Sequence, residues 1–454
     1  MPPVSGFQRK GPVLLPWLSS PLSHLQLLLV LALLLGGGGV AYGLRNFVIQ
    51  LAALAILAFH RRLVWQFFTS RQVALIALVL ASVALPLLQL VPLPPAVWQG
   101  LPGRDAVSEA FAIAGIGADS WFPLSLDRGR TLVAFCGTLA PATIVIVGSG
   151  LGPQQKARLA WALVGCAAVA LLIGVAQLSS ANTGGLFYPI TPKPDVLYAT
   201  FANRNSTALL FVMAIVLLAS VPLVRGRAGL LVVTGGIAVL ALGAVLTQSR
   251  SGMALTGAAL GFVLLRTALG YWQLRQGRYG VSRSAALAAG LVGLAVAAAL
   301  AISAFGGGRA ASSLERLTDG QTDRPQIWED TVYAIGVYWP LGSGMGTFDE
   351  TFQMHESLEF LSPRKAGRAH NDWLEIGLEA GLAAYVLVLG WLVWIAQAAM
   401  RGEPVLRWTR LGAAFALATV AAQSALDYPL RNQTLLCAAA VCIVLLARTR
   451  RQPL

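Results

Sequence analysis

Three arginines and one histidine stand where an apolar chain has little reason to hold a charge. Arg204 lies in Phe201-Ala202-Asn203-Arg204-Asn205-Ser206 and Arg250 in Thr247-Gln248-Ser249-Arg250-Ser251-Gly252. Arg324 opens Arg324-Pro325-Gln326-Ile327-Trp328, and His370 sits in Arg368-Ala369-His370-Asn371-Asp372-Trp373. The Asn and Ser neighbours of the first two arginines suit helix caps. Guanidinium groups beside helix starts favour anions, phosphate above all. An imidazole can accept a proton near neutral pH. These residue types together predict a pocket for a phosphate-bearing ligand beside a general base.

Each residue also has a plainer reading. Arg204 and Arg250 can snorkel to headgroups. Arg324 can pair with Asp323 or Asp330, and His370 can be a loop cap. Asp372, Glu375 and Glu379 follow at helical spacing and can complement a helix dipole. Asp427 and Arg431, in Leu426-Asp427-Tyr428-Pro429-Leu430-Arg431, read as a structural hairpin pair.

The elements that position these groups follow from composition. Of the 454 residues, 56% are hydrophobic and 11% charged; a soluble domain has about 25% charged residues. The apolar runs do not alternate as barrel strands would. The fold class is therefore an all-α polytopic membrane protein. Twelve spans are predicted: 24–43, 46–60, 73–92, 131–149, 158–178, 205–224, 228–247, 251–269, 284–305, 371–398, 409–425 and 432–448. Gly36 to Gly39 break the end of the first, and the second is short enough to be tilted or to form a hairpin with it. Arg9 and Lys10 precede an apolar run with no clear cleavage site, which reads as a retained first span.

With the N-terminus inside, the inner segments hold nineteen basic residues and one acid, Glu403. This follows the positive-inside rule and puts both termini in the cytoplasm. It also accounts for the net charge of +14, since no aromatic-basic module points to nucleic acid. Cys136, Cys166, Cys437 and Cys442 fall in apolar runs, so neither a disulfide nor a metal is assigned to them. No acid and histidine cluster has metal-ligand spacing, and no cofactor motif appears.

Three outer segments are long. Residues 93–130 read as a structured or interfacial loop, and 179–204 are proline-rich. Residues 306–370 form one large loop, folded at the membrane surface. It has a helix with Pro325 at its first position, ended by Pro340, Gly342, Gly344 and Gly346. Residues 1–200 thus form an N-terminal membrane region, 201–430 the region that holds all four candidate residues and the 306–370 loop, and 431–454 a last helix with a basic tail.

The motifs together resemble the O-antigen ligase and polymerase superfamily of bacterial membrane glycosyltransferases. His370-Asn371-Asp372-Trp373-Leu374-Glu375, with ten residues between His370 and Gly381, is similar to the family's histidine at the end of a large periplasmic loop. The Arg324 helix with Pro340-Leu341-Gly342-Ser343-Gly344-Met345-Gly346, the Arg204 and Arg250 motifs, and Asp427-Tyr428-Pro429-Leu430 also look like family features. One position departs: Asp323 stands where a glycine commonly precedes the loop arginine. The resemblance covers about residues 200–430.

The resemblance implies a GT-C-like fold of about twelve transmembrane helices in the bacterial inner membrane, with its site facing the periplasm. It implies a glycan donor on undecaprenyl pyrophosphate and a metal-independent, inverting transfer. The leading reading is an O-antigen ligase acting on lipid A-core. The alternatives are an O-antigen or exopolysaccharide polymerase with a lipid-linked acceptor, a protein O-oligosaccharyltransferase, and, from other classes, a flippase or an assembly scaffold. In this reading His370 and Arg250 are catalytic. Arg204, Arg250 and Arg324 bind pyrophosphate, and Asn203, Asn371, Asp372 and Gly381 support them. Membrane lipids are the remaining partners.

Overall fold

The computed structural model describes residues 19–39, 42–179, 187–188, 196–223, 226–273, 324–360, 366–401 and 406–448. Its helices are α1 (Pro21–Leu35), α2 (Gly43–Phe59), α3 (Arg61–Phe68), α4 (Val73–Gln89), α5 (Pro95–Trp98) and α6 (Asp105–Ile113). Then come α7 (Arg128–Gly148), α8 (Pro153–Ser179), α9 (Arg204–Ser220), α10 (Gly226–Leu246) and α11 (Arg250–Gln273). The last five are α12 (Arg324–Tyr338), α13 (Phe348–Gln353), α14 (Asp372–Met400), α15 (Arg407–Ser424) and α16 (Gln433–Leu446). A single antiparallel pair, β1 (Pro92–Leu93) with β2 (Phe122–Pro123), is the sheet structure among the described residues.

A helix occupies each predicted span except the ninth, 284–305, which lies outside the described residues. Five helices (α7, α8, α10, α11 and α14) are long and apolar enough to cross a membrane. The pair α2–α3, bent by 81°, makes a sixth if taken as one span. Helices α1, α4, α9 and α16 are apolar but shorter. The polytopic helical class therefore stands, while twelve crossings remain an expectation.

Helix α9 is apolar on every side, and such a helix belongs inside a bundle. Every residue from Ser206 to Ser220 is buried, against α8, α10, α11 and α15. The predicted break at Gly36 to Gly39 is present, and it brings two chains close. A Cβ on Gly37 would lie 1.9 Å from the Thr200 carbonyl oxygen, and Ala202 N donates to Gly37 O at 3.1 Å. The segment entering α9 is thus laid against the turn between α1 and α2.

The outer loops fold on one another. Ala334, Tyr338, Phe348, Phe352, Ala369 and Leu378 form a second core, separate from that of the bundle. Arg104 is buried, with its guanidinium 5.7 Å from the Tyr338 ring centroid. It donates to the carbonyls of Leu124 and Gly342. Leu126 N donates to Ser343 O at 2.8 Å, and Arg130 pairs with Glu350 at 2.7 Å. Residues 93–130 and 324–360 therefore make one cap over one end of the bundle.

Candidate active site

Three helices start at that end, each held by a cap. Asn203 caps α9 by accepting from Asn205 N at 2.9 Å. Ser249 Oγ accepts from Gly252 N at 3.0 Å in the first turn of α11. Asn371 caps α14, accepting from Trp373 N at 3.0 Å and Leu374 N at 3.3 Å. Capping fixes where each chain enters its helix. Arg204 and Arg250 are consequently the first residues of α9 and α11, and both are half-buried.

The neighbours of these arginines join one hydrogen-bonded chain. Ser249 Oγ donates to Asn205 Oδ1 at 2.7 Å. Asn205 Nδ2 and Asn203 Nδ2 both donate to Asp427 Oδ2 at 2.8 Å. The other oxygen, Asp427 Oδ1, is 3.0 Å from His370 Nδ1. Arg324 Nη1 donates to the carbonyl of Leu426, the preceding residue, at 2.6 Å. Four motifs spread over more than 200 positions thus meet at the short segment between α15 and α16. Asp330, the alternative partner for Arg324, instead accepts from Ser357 N at 3.1 Å; Asp323 lies outside the described residues.

His370 has φ +51°. A non-glycine residue there is strained by roughly 1–3 kcal/mol and persists only where its surroundings hold it. The holders are its Asp427 bond and the Tyr428 ring, 5.1 Å away. The Asp427 side chain is 2% exposed and that of His370 35%. A buried carboxylate therefore orients an imidazole that solvent or a ligand can reach. Burial, and then the adjoining Asp427 charge, push the Tyr428 hydroxyl up to about 12, so it stays a neutral hydroxyl at ordinary pH.

A second polar cluster lies behind the first. Arg431 Nη1 donates to Glu379 Oε2 at 2.7 Å, and its Nε lies 3.3 Å from Glu375 and 3.6 Å from Asp372. All three carboxylates are 0% exposed. Burial pulls the Arg431 guanidinium down, but Glu379, Glu375 and Asp372 more than reverse this and hold it above its ordinary range. Arg368 Nη1 and Ala369 N also donate to Glu375, at 3.2 and 3.0 Å, which fixes the chain just before His370. Asp372 accepts from Ser424 Oγ and Leu430 N at 3.0 Å, tying α14 to the same short segment.

The hairpin reading is thereby corrected. Asp427 holds His370 and two asparagines, whereas Arg431 holds three carboxylates of α14. Those carboxylates do sit in the opening turns of a helix, but their main work is this buried ion cluster.

Gly381 is required where it stands for a steric reason. It interrupts α14 with φ +53°, and a Cβ there would lie 2.1 Å from Pro340 O. Leu382 N donates to Pro340 O at 2.9 Å, while Ser343 N and Gly344 N take the carbonyls of Leu378 and Glu379. The glycine turn after α12 is thus bonded into the break in α14.

Residues 235–389 match the protein-family model described as O-antigen ligase. The chain carries a domain of the O-antigen ligase and polymerase superfamily. No curated protein matches the chain. The matched stretch of the O-antigen ligase domain holds Arg250, Arg324, His370, Asn371, Asp372 and Gly381. Asn203 and Arg204 precede it, and Asp427 and Arg431 follow it. The tertiary structure brings these flanking residues to the domain's histidine. Asp427, Asn205, Ser249 and Arg368 are the contributors that sequence reasoning did not assign to the site. The available signal for Asp427 was a carboxylate, tyrosine and proline interrupting an apolar stretch.

Proposed function

We propose that the protein is a membrane glycosyltransferase that moves a glycan from undecaprenyl pyrophosphate to an acceptor hydroxyl, acting as an O-antigen ligase on lipid A-core. The observation that carries this reading is the convergence of His370, the two arginine-bearing helix starts and Arg324 on residues 426–427. The family match supports a transfer of the O-antigen ligase and polymerase type.

In this mechanism Arg204 and Arg250 bind the pyrophosphate, helped by the positive ends of α9 and α11. Their fixed charges stabilise the leaving diphosphate as its bond to the anomeric carbon breaks. His370 gives Nδ1–H to Asp427, so Nε2 carries the lone pair that accepts the acceptor hydroxyl's proton. Asp427 is a positioning residue that also steadies the imidazolium. The hydroxyl oxygen attacks as the pyrophosphate departs, which inverts the anomeric centre. Arg324 binds at the rim and carries the acceptor or second phosphate. The donor charge is met by guanidinium groups, so the reading needs no metal.

An apolar cavity of about 410 Å³ opens beside the site, lined by Arg130, Arg431 and Trp373 together with Val79, Leu417 and Ile443. Such a wall suits an isoprenoid chain. A flippase would place its polar groups near the bilayer midplane; here they gather at one end.

The test is transfer from purified lipid-linked glycan to lipid A-core, or to a second lipid-linked repeat, by wild-type, Arg250→Ala and His370→Ala protein in EDTA. The proposal expects transfer to lipid A-core by wild type and a loss of about 10²-fold or more in each variant. Wild-type turnover by both variants would rule out these roles. Elongation of the lipid-linked repeat alone would make the protein a polymerase.

A further inference from the structure

The opposite end of the bundle holds a pocket that the transfer reaction does not use. Arg71, Arg401, Arg410 and Arg448 rim a cavity of about 200 Å³ between the ends of α4, α14, α15 and α16. Its floor is apolar: Leu75, Trp394 and Leu446 are all at least nine-tenths buried. Lys156 is buried nearby, with Nζ donating to Ala447 O at 2.8 Å.

These guanidinium groups have neutral neighbours. Arg401 donates to Gln397 Oε1 at 2.8 Å, and Arg410 to the carbonyl of Arg401. Arg448 N, a backbone group, donates to Gln72 Oε1 at 2.9 Å. Among the described residues none of the four takes part in an ion pair. The described carboxylates lie in segments 105–127, 329–379 and at 427, which belong to the other end. Glu403 lies outside the described residues. Surface arginines that only satisfy the positive-inside rule need no concave arrangement. Four cations around one pocket with an apolar floor match an amphiphile with an anionic head. Val73, 72% exposed beside the pocket, offers an apolar flank for its chains.

We propose that this pocket binds the headgroup of an anionic phospholipid, of the cardiolipin type, from the leaflet at the basic end. The lipid bridges the ends of α14 and α15, which at their other ends carry Asp372 and Ser424 of the site.

The experiment uses the full chain purified in detergent, with cardiolipin, phosphatidylcholine or inorganic phosphate added, read by native mass spectrometry and thermal unfolding. Wild type is expected to retain cardiolipin over phosphatidylcholine and to show a raised Tm with cardiolipin only. The doubles Arg401→Gln/Arg410→Gln and Arg71→Gln/Arg448→Gln are each expected to bind it roughly 30-fold more weakly, at about fivefold per arginine. Their Tm in phosphatidylcholine reports that they are folded, and both residues of the second pair are exposed. Equal retention of both lipids, wild-type cardiolipin binding by both doubles, or an equal Tm rise from inorganic phosphate would each overturn the proposal. The last result would indicate a soluble-anion site.

Discussion

At the residue scale, Asp427 decides how His370 is held. A lone imidazole at a loop-helix junction can turn freely, whereas one bonded through Nδ1 to a buried carboxylate presents Nε2 in a fixed direction. Asp427→Asn keeps the shape but removes the charge that steadies the imidazolium. Transfer activity is expected to fall by roughly 10- to 10²-fold, no more than for His370→Ala, with a lower Tm because the amide nitrogen then faces a buried donor among Asn203, Asn205 and His370. An activity equal to wild type would show that Asp427 only packs. Arg431 makes a different demand. Arg431→Met leaves Asp372, Glu375 and Glu379 buried without their cation, and breaking such a cluster costs about 3–5 kcal/mol. A large drop in Tm, with activity lost through the misplaced start of α14, is the expected result. An unchanged melting profile would mean that water enters the cluster.

At the scale of elements, α14 is two helical pieces hinged at Gly381, and the hinge locks the loop domain to the bundle. Gly381→Ala places a methyl group against Pro340 O and a side chain at positive φ. A destabilisation of about 2 kcal/mol or more is expected, read as a lower Tm. The cap has its own pH dependence. Burial lowers His355 below its ordinary value of 6.5, where Nε2 meets Tyr338 OH at 3.0 Å. The unfolded chain therefore takes up a proton first as pH falls below 6.5, and the cap loses stability between that point and the lower folded value. Lower protection factors across 348–357 at pH 5.5 than at pH 7.5, after division by the intrinsic exchange rate at each pH, check this, and His355→Gln should abolish the difference. Persistence of the difference in that variant would place its origin elsewhere.

For the whole molecule, charge is segregated by end. Described carboxylates gather at the site and its cap, whereas Arg71, Arg401, Arg410 and Arg448 gather opposite. This pattern predicts that the cap faces away from the cytoplasm. Leu358, 85% exposed on the cap, is a suitable reporter in a Cys136→Ala background, because the other native thiols, Cys166, Cys437 and Cys442, are buried. Leu358→Cys should react with a membrane-impermeant maleimide added outside spheroplasts. Reaction only after lysis would reverse the orientation.

Hydropathy and charge along the chain were enough to determine a mostly helical membrane protein, the position of eleven described helices, and the residues worth suspecting. The reason is that placing a charge or breaking an apolar run has a local cost, visible without a fold. The α12 helix and its glycine stop were legible for the same reason, through Pro325 and Gly342, Gly344 and Gly346. Partnership was not legible. Asp427 and Arg431 are near in sequence and so read as a pair, yet each is bonded to a different element. Which carboxylate faces which cation depends on how α9, α14 and the segment before α16 pack, and sequence separation carries no record of that. The folding of residues 93–130 onto 324–360 was equally hidden, because the burial of Arg104 depends on carbonyls and a ring supplied by distant segments. Only the tertiary structure shows that the motifs of the four suspect residues meet at one short segment between α15 and α16.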